Sequence, residues 1–190
     1  MDNSNAETKA QRAIESLYRW YLAHSQAKRN WNPDTSFDWD SVNRNQSEQV
    51  IRIIEGFYAV EQFVPDYTSG LVHLLRHDYG RSQFYCRWGA EEAKHADLWR
   101  NALLATCGRR LQQIEQYTNE LRQKSWELPF GDPLEMLFYT VLQERATQVN
   151  YHNLALLFQG KAEGASDQTE ADPVLVHVAR SIAADEAAHF

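Results

Sequence analysis

The sequence predicts an all-α protein whose core is a four-helix bundle. Three observations carry that prediction. Apolar residues recur in alternating steps of three and four along four separate stretches, the period of a buried helical seam. Only 8 Gly and 5 Pro occur in 190 residues, too few for a turn-dense β fold. Glu92 precedes His95 and Glu186 precedes His189 by the same three residues, so on a helix each pair shares one face.

Composition sets the outer bounds. A single domain over residues 1–190 is expected, long enough to bury a substantial core. With 43% hydrophobic and 24% charged residues, the chain has the make-up of a globular protein in water. A formal net charge of −7 disfavours nucleic acid or an anionic membrane as the main partner. Cys86 and Cys107 lack metal-ligand spacing and read as free thiols, Cys86 as a packing residue beside a seam. Met1 to Ala10 carries Asp2 and Glu7 without an apolar core, so it reads as neither signal nor transit peptide. No run is long enough to span a membrane, and a cytoplasmic protein is expected.

The elements follow in order. Ala6 to about Lys28, with Ile14, Leu17 and Tyr21 at helical spacing, predicts a peripheral first helix. Asn30 to Asp40 is rich in turn formers but carries Trp31, Phe37 and Trp39, which predicts a loop packed down by aromatic anchors. Ser47 is a good N-cap for a helix with seam Val50, Ile54, Phe57, Glu61 and Val64. Glu61 stands where Leu is expected, and Pro65 four residues on predicts a kink, because its ring meets the Glu61 carbonyl.

A second bundle helix begins near Arg81, with seam Tyr85, Trp88, Glu92, His95, Trp99 and Ala102, leaving Glu91 and Lys94 off it. Gly108 is the expected stop. A connecting helix follows on Leu111, Ile114 and Leu121. Asp132-Pro133 starts the third bundle helix, with seam Leu134, Leu137, Val141, Glu144, Gln148, Tyr151, Ala155 and Phe158. Gln159 to Ala171 is polar and predicts a mobile loop. Asp172-Pro173 then caps a last helix with seam Leu175, Val178, Ile182, Glu186 and His189.

Each of four seams therefore carries a Glu, and two carry a His three residues later. Six ionisable groups on apolar seams are costly to bury without charged partners. Two ferrous ions answer that cost, their combined charge balancing four carboxylates, with two neutral imidazoles completing the set. Spacing and register thus lead to a ferritin-like four-helix bundle with additional peripheral helices.

Four groups of residues go further: Gln143-Glu144-Arg145-Ala146-Thr147; Ala183-Ala184-Asp185-Glu186 with His189; Trp88 with Glu91-Glu92 and His95; and Glu61-Gln62 with Pro65 and Tyr67. Together they resemble the soluble acyl-[acyl carrier protein] desaturases of plants and their bacterial relatives, from the Trp31 loop to the end. By that resemblance the chain is a bacterial-type member lacking the family's C-terminal helices, with a longer loop before its last helix.

The resemblance implies two irons cycling between Fe2+ and Fe3+, with Glu92 and Glu186 bridging them. Glu61 and His95 complete one site, Glu144 and His189 the other. Thr147 resembles the family's active-site threonine, Asp185 a carboxylate that orients His95, and Trp31 a tryptophan continuing that path toward the surface. The implied partners are an acyl carrier protein with its acyl chain and a ferredoxin-type electron donor, for a homodimeric enzyme using dioxygen. Arg76, Arg81, Arg87 and Arg100 read either as docking residues for an acidic carrier or as solvated surface. His73 and His77 read as surface or interface residues. Two other readings share the ligand set: a related di-iron oxidase or hydroxylase, and a truncated, non-catalytic helical module. Because the chain stops one residue after His189, Glu186 and His189 are expected to be the least supported ligands.

Overall fold

Polar caps decide where the long helices start. Ser47 Oγ accepts from Val50 N at 3.3 Å, and Asp78 Oδ1 accepts from Arg81 N at 3.0 Å. Asp132 Oδ1 accepts from Leu134 N at 2.8 Å and Glu135 N at 3.1 Å. Asp172 Oδ1 does the same for Val174 N at 2.8 Å and Leu175 N at 3.0 Å. Each satisfies backbone donors that a helix start leaves without partners.

The computed structural model describes residues 3–161 and 171–189, with side chains from residue 7 onward. Its helices are α1 (Asn3–His24), α2 (Glu48–Glu61), α3 (Val64–Leu74), α4 (Tyr79–Ala105), α5 (Leu111–Leu121), α6 (Pro133–Leu157) and α7 (Pro173–His189). Single 3-10 turns occupy Gln26–Lys28 and Trp39–Ser41, and no strand occurs among the described residues. The fold is all-α. In the bundle α2 packs on α4, α6 on α7, and α4 on α7, while α1 and α3 lie against α4. The core runs between these helices through Ile54, Leu98, Trp99, Leu175 and Ile182, each fully buried. The polar stretch predicted as a mobile loop lies largely outside the described residues.

The structure departs from the sequence reading at several points. Pro65 lies in the first turn of a new helix rather than kinking a continuous one. The chain turns at Gln62 and Phe63, whose amides reach back three residues to Ala59 and Val60, and α3 starts afresh. Glu61 is thereby the last residue of α2. Helix α4 begins at Tyr79 and stops at Ala105; the left-handed residue beyond it is Cys107, with φ of 56°. Gly108 serves close approach instead, since a Cβ there would sit 2.4 Å from Ile51 Cδ1. In the first half of α6 the buried line is Met136, Thr140 and Glu144, and Leu134 is exposed. Cys86 is exposed, not packed.

Candidate metal centre

Three of the seams hold as read where they matter. Tyr85, Trp88, Glu92, His95, Trp99 and Ala102 are all buried on α4, as are Leu175, Val178, Ile182, Glu186 and His189 on α7. Glu61 closes α2 and Glu144 lies midway along α6, both 5% exposed. The six predicted residues converge as two overlapping sets, Glu61, Glu92, His95 and Glu186, and Glu92, Glu144, Glu186 and His189. Within each set the donor atoms lie within 4.8 Å of one another.

The two imidazoles face the same centre with the same nitrogen. His95 Nδ1 lies 3.5 Å from Glu92 Oε2 and 3.8 Å from Glu186 Oε1. His189 Nδ1 lies 2.9 Å from Glu92 Oε1, 3.3 Å from Glu144 Oε2 and 3.7 Å from Glu186 Oε2. Their outer nitrogens meet carboxylates: His95 Nε2 lies 3.2 Å from Asp185 Oδ2, and His189 Nε2 lies 2.9 Å from Glu91 Oε2. A carboxylate on Nε2 keeps a proton there and leaves the Nδ1 lone pair free to point inward.

Whether a metal suits this centre can be judged from its unsatisfied atoms. Glu92 Oε1, His95 Nδ1, Glu144 Oε2 and His189 Nδ1 are buried, belong to the cluster and face one another without a well-directed hydrogen bond, despite the 2.9 Å approach of His189 Nδ1 to Glu92 Oε1. Buried polar groups are rarely left so. Three other carboxylate oxygens of the cluster are held from outside. Tyr151 donates to Glu61 Oε1 at 2.9 Å, Tyr67 to Glu61 Oε2 at 3.3 Å, and Trp88 Nε1 to Glu144 Oε1 at 3.0 Å. Oriented carboxylates and imidazoles with spare lone pairs fit divalent cations of the iron type.

Without metal, the cluster must share protons. Burial, reinforced by Glu92, pushes Glu61 up to about 8. Burial and the charge of Glu92 also push Glu186 well above the usual carboxylate range. Glu92 goes the other way, to about 2: burial opposes its charge, but His95 and His189 outweigh it. Both imidazoles rise well above 6.5, because the surrounding carboxylates overcome the cost of burying their charge.

Outside the six, the structure adds residues that seam periodicity does not report. Glu91, read as lying off the seam, is 4% exposed and touches His189. Its flank of α4 faces α1, an environment that a bundle seam does not report. Tyr21 Oη donates to Glu91 Oε1 at 2.7 Å. Arg29, in the loop after α1, donates through one guanidinium nitrogen to Glu91 Oε2 and to Asp185 Oδ1, each at 2.7 Å. Trp31 stacks on His95, with ring centres 6.0 Å apart and planes 13° from parallel, under the Lys94 ammonium at 4.2 Å. Its indole nitrogen makes no hydrogen bond, so Arg29 rather than Trp31 extends the Asp185 path. The Thr147 hydroxyl turns back on its own helix, to the carbonyls of Gln143 and Glu144 at 3.1 and 2.9 Å. His73 and His77 are exposed. Among the four arginines, Arg81 pairs with Asp78 at 3.2 Å and Arg87 bonds Tyr18 at 3.2 Å.

Two mainly apolar cavities approach the cluster. One of about 330 Å³ reaches Glu144 between walls that include Phe63, Tyr67, Trp88, Trp126 and Met136. Another of about 360 Å³ reaches Glu144 and His189 past Leu17, Tyr21 and Phe84.

Among the described residues, bundle and centre together define a helical protein with a buried carboxylate–histidine cluster that could hold metal. The chain belongs to the fatty acid desaturase family, whose model matches residues 21–190. It is 30% identical over 145 residues to the stearoyl-[acyl-carrier-protein] 9-desaturase 6, chloroplastic, of Arabidopsis thaliana, covering 72% of this chain and 35% of that one. It is 29% identical over 103 residues to acyl-[acyl-carrier-protein] desaturase 6, chloroplastic, of Oryza sativa subsp. japonica, covering 54% of this chain and 23% of the relative. The matches thus span about a third or less of the relatives' own length. No helix among the described residues is long and apolar enough to cross a membrane.

Proposed function

We propose that this chain forms the di-iron centre of a desaturase that introduces a double bond into a saturated acyl chain carried on acyl carrier protein. The observation that carries the reading is the pair of donor sets sharing Glu92 and Glu186, with four buried donor atoms unsatisfied. Glu61 and His95 would hold one iron, Glu144 and His189 the other, and Glu92 and Glu186 both. When bound, the iron pair supplies the oxidising power to remove hydrogens from two adjacent methylenes. An unactivated C–H bond offers a protein no acid–base handle, so the side chains act by positioning.

Those positions suit the task. Asp185 and Glu91 hold the two imidazoles from behind, and Tyr67 and Tyr151 hold Glu61. Phe63, Trp88, Trp126 and Met136 give the 330 Å³ cavity walls that exclude water and confine an alkyl chain beside Glu144. Thr147 lies one turn beyond Glu144; rotated off its own carbonyls, its hydroxyl would relay protons. The balance is simple. Two hydrogens leave the chain, and two external electrons with two protons complete the reduction of one dioxygen to two waters. A ferredoxin-type donor would supply the electrons, the carrier would hold the acyl group outside the bundle, and the enzyme would act as a homodimer in the cytoplasm.

The test is reconstitution with iron, followed by incubation with acyl carrier substrates, ferredoxin, its reductase and oxygen, read by mass spectrometry. Loss of two hydrogens is expected. Gain of an oxygen atom would establish a hydroxylase instead, and absence of iron uptake would remove the metal reading altogether.

A further inference from the structure

We propose that Arg29 is a positioning residue that ties the two halves of the centre together, fixing both metal-facing imidazoles through one guanidinium. The inference rests on the dimetal reading above and extends it beyond the six ligands. Behind His95 stands Asp185, behind His189 stands Glu91, and between those carboxylates stands a single nitrogen of Arg29. The resulting chain runs His95–Asp185–Arg29–Glu91–His189 without a gap longer than 3.2 Å.

Each link has a physical reason. Asp185 is fully buried and Glu91 nearly so, and two unneutralised carboxylates there would repel each other and pull on their histidines. A cation between them removes the repulsion and fixes both oxygens at hydrogen-bond distance. The Arg29 side chain is only 12% exposed. Its other terminal nitrogen reaches Tyr21 Oη and Ser25 Oγ, both at 3.3 Å, which anchors it to the end of α1. Lys94 is the natural comparison. Its ammonium pairs with Asp185 at 3.8 Å and so touches one half of the network, whereas Arg29 touches both.

Cobalt(II) titrations of the full chain, followed by visible absorption, separate this role from a merely structural one. Wild type is expected to bind two ions. D185N should weaken one binding step and E91Q the other, each by about 10- to 100-fold, the usual effect of losing such an outer partner. R29M should weaken both steps together by factors in that range, with the cobalt bands of both ions shifted. K94M should move only the step that D185N moves. R29K should restore both steps, because one ammonium can stand where one guanidinium nitrogen bridges the carboxylates. Circular dichroism of the metal-free variants checks the fold, and R29Q takes the place of R29M if the latter does not fold. Loss confined to one step in the Arg29 variants, or no loss, overturns the proposal while leaving the metal reading intact. Failure of wild type to take up a pair of ions overturns both.

Discussion

Glu61→Gln separates what the centre costs the fold from what it does for metal. In the metal-free protein the carboxyl is pushed up to about 8, chiefly by burial and then by Glu92. A raised value means that the folded state binds the proton more tightly than the unfolded chain does, so this contribution to stability falls as pH rises. The fall starts near the ordinary value of 4.5 and levels off above about 8. Each pH unit in that window is worth about 1.4 kcal/mol, so keeping Glu61 folded at pH 7 costs about 3 kcal/mol relative to a neutral group. The glutamine amide removes that cost, but it satisfies only one of the two tyrosines as acceptor, which costs back about 1 kcal/mol. For a chain of this length about 2 kcal/mol is a rise of roughly 4–8 °C in Tm. The assay is thermal unfolding of wild type and E61Q in chelator at pH 5, 7 and 8.5. The gap should be near zero or slightly negative at pH 5 and widen toward pH 8.5. A gap that stays constant over that range, or widens toward acid, would refute the reasoning. Adding cobalt should reverse the order, because only wild type retains both complete donor sets.

Three further outcomes are expected. His189→Ala should remove one of two bound metals and leave the other, since Glu61 and His95 belong to the opposite set; metal analysis after gel filtration reads the stoichiometry. Metal uptake at pH 7 should release protons, because Glu61, Glu186 and both imidazoles are pushed upward in the metal-free protein. Affinity should therefore rise from pH 6 to 8, and calorimetry in two buffers of different ionisation enthalpy counts the protons. Gly89→Ala should destabilise the protein by about 1–3 kcal/mol through overpacking, because a Cβ there would meet Thr68 Cγ2 at 2.4 Å between α3 and α4; urea unfolding measures it.

Much of the fold and the inner centre was legible because both depend on the same periodicity. A residue that must point at the bundle axis has to occupy a seam position, so Glu61, Glu92, Glu144 and Glu186 stand out as acids where Leu would pack. Three helix starts were equally legible, since Ser47, Asp132 and Asp172 act within three residues of themselves, whereas the Asp78 cap that starts α4 at Tyr79 was missed. The misreadings have a common cause in tertiary contact. Gly108 has the identity of a helix stop, but Ile51 from another helix decides its use. Met136 and Thr140 displace Leu134 and Leu137 from the buried line of α6 because Tyr85 and Trp88 pack there from α4.

The outer layer of the centre was illegible for the same reason, and that changes the standing of α1. By composition α1 is a peripheral helix, with Leu17 and Trp20 exposed and, of its described side chains, only Tyr18 and Tyr21 buried. Its distance from the bundle axis hides its contribution, because a group that holds a ligand from behind must lie outside the seam. Glu91 sits beside Glu92 in sequence but is turned to the flank of α4 that α1 covers, and Arg29 arrives from a loop with no period at all. Gly80 permits that cover, since a Cβ there would press within 2.8 Å of Ile14 on α1. The termini of the centre are supported accordingly. His189 in the last turn of α7, which frays most readily in isolation, is held by Glu91, and Glu91 by Tyr21 and Arg29. The helix that looks least connected to the chemistry is thus one that secures His189 from behind.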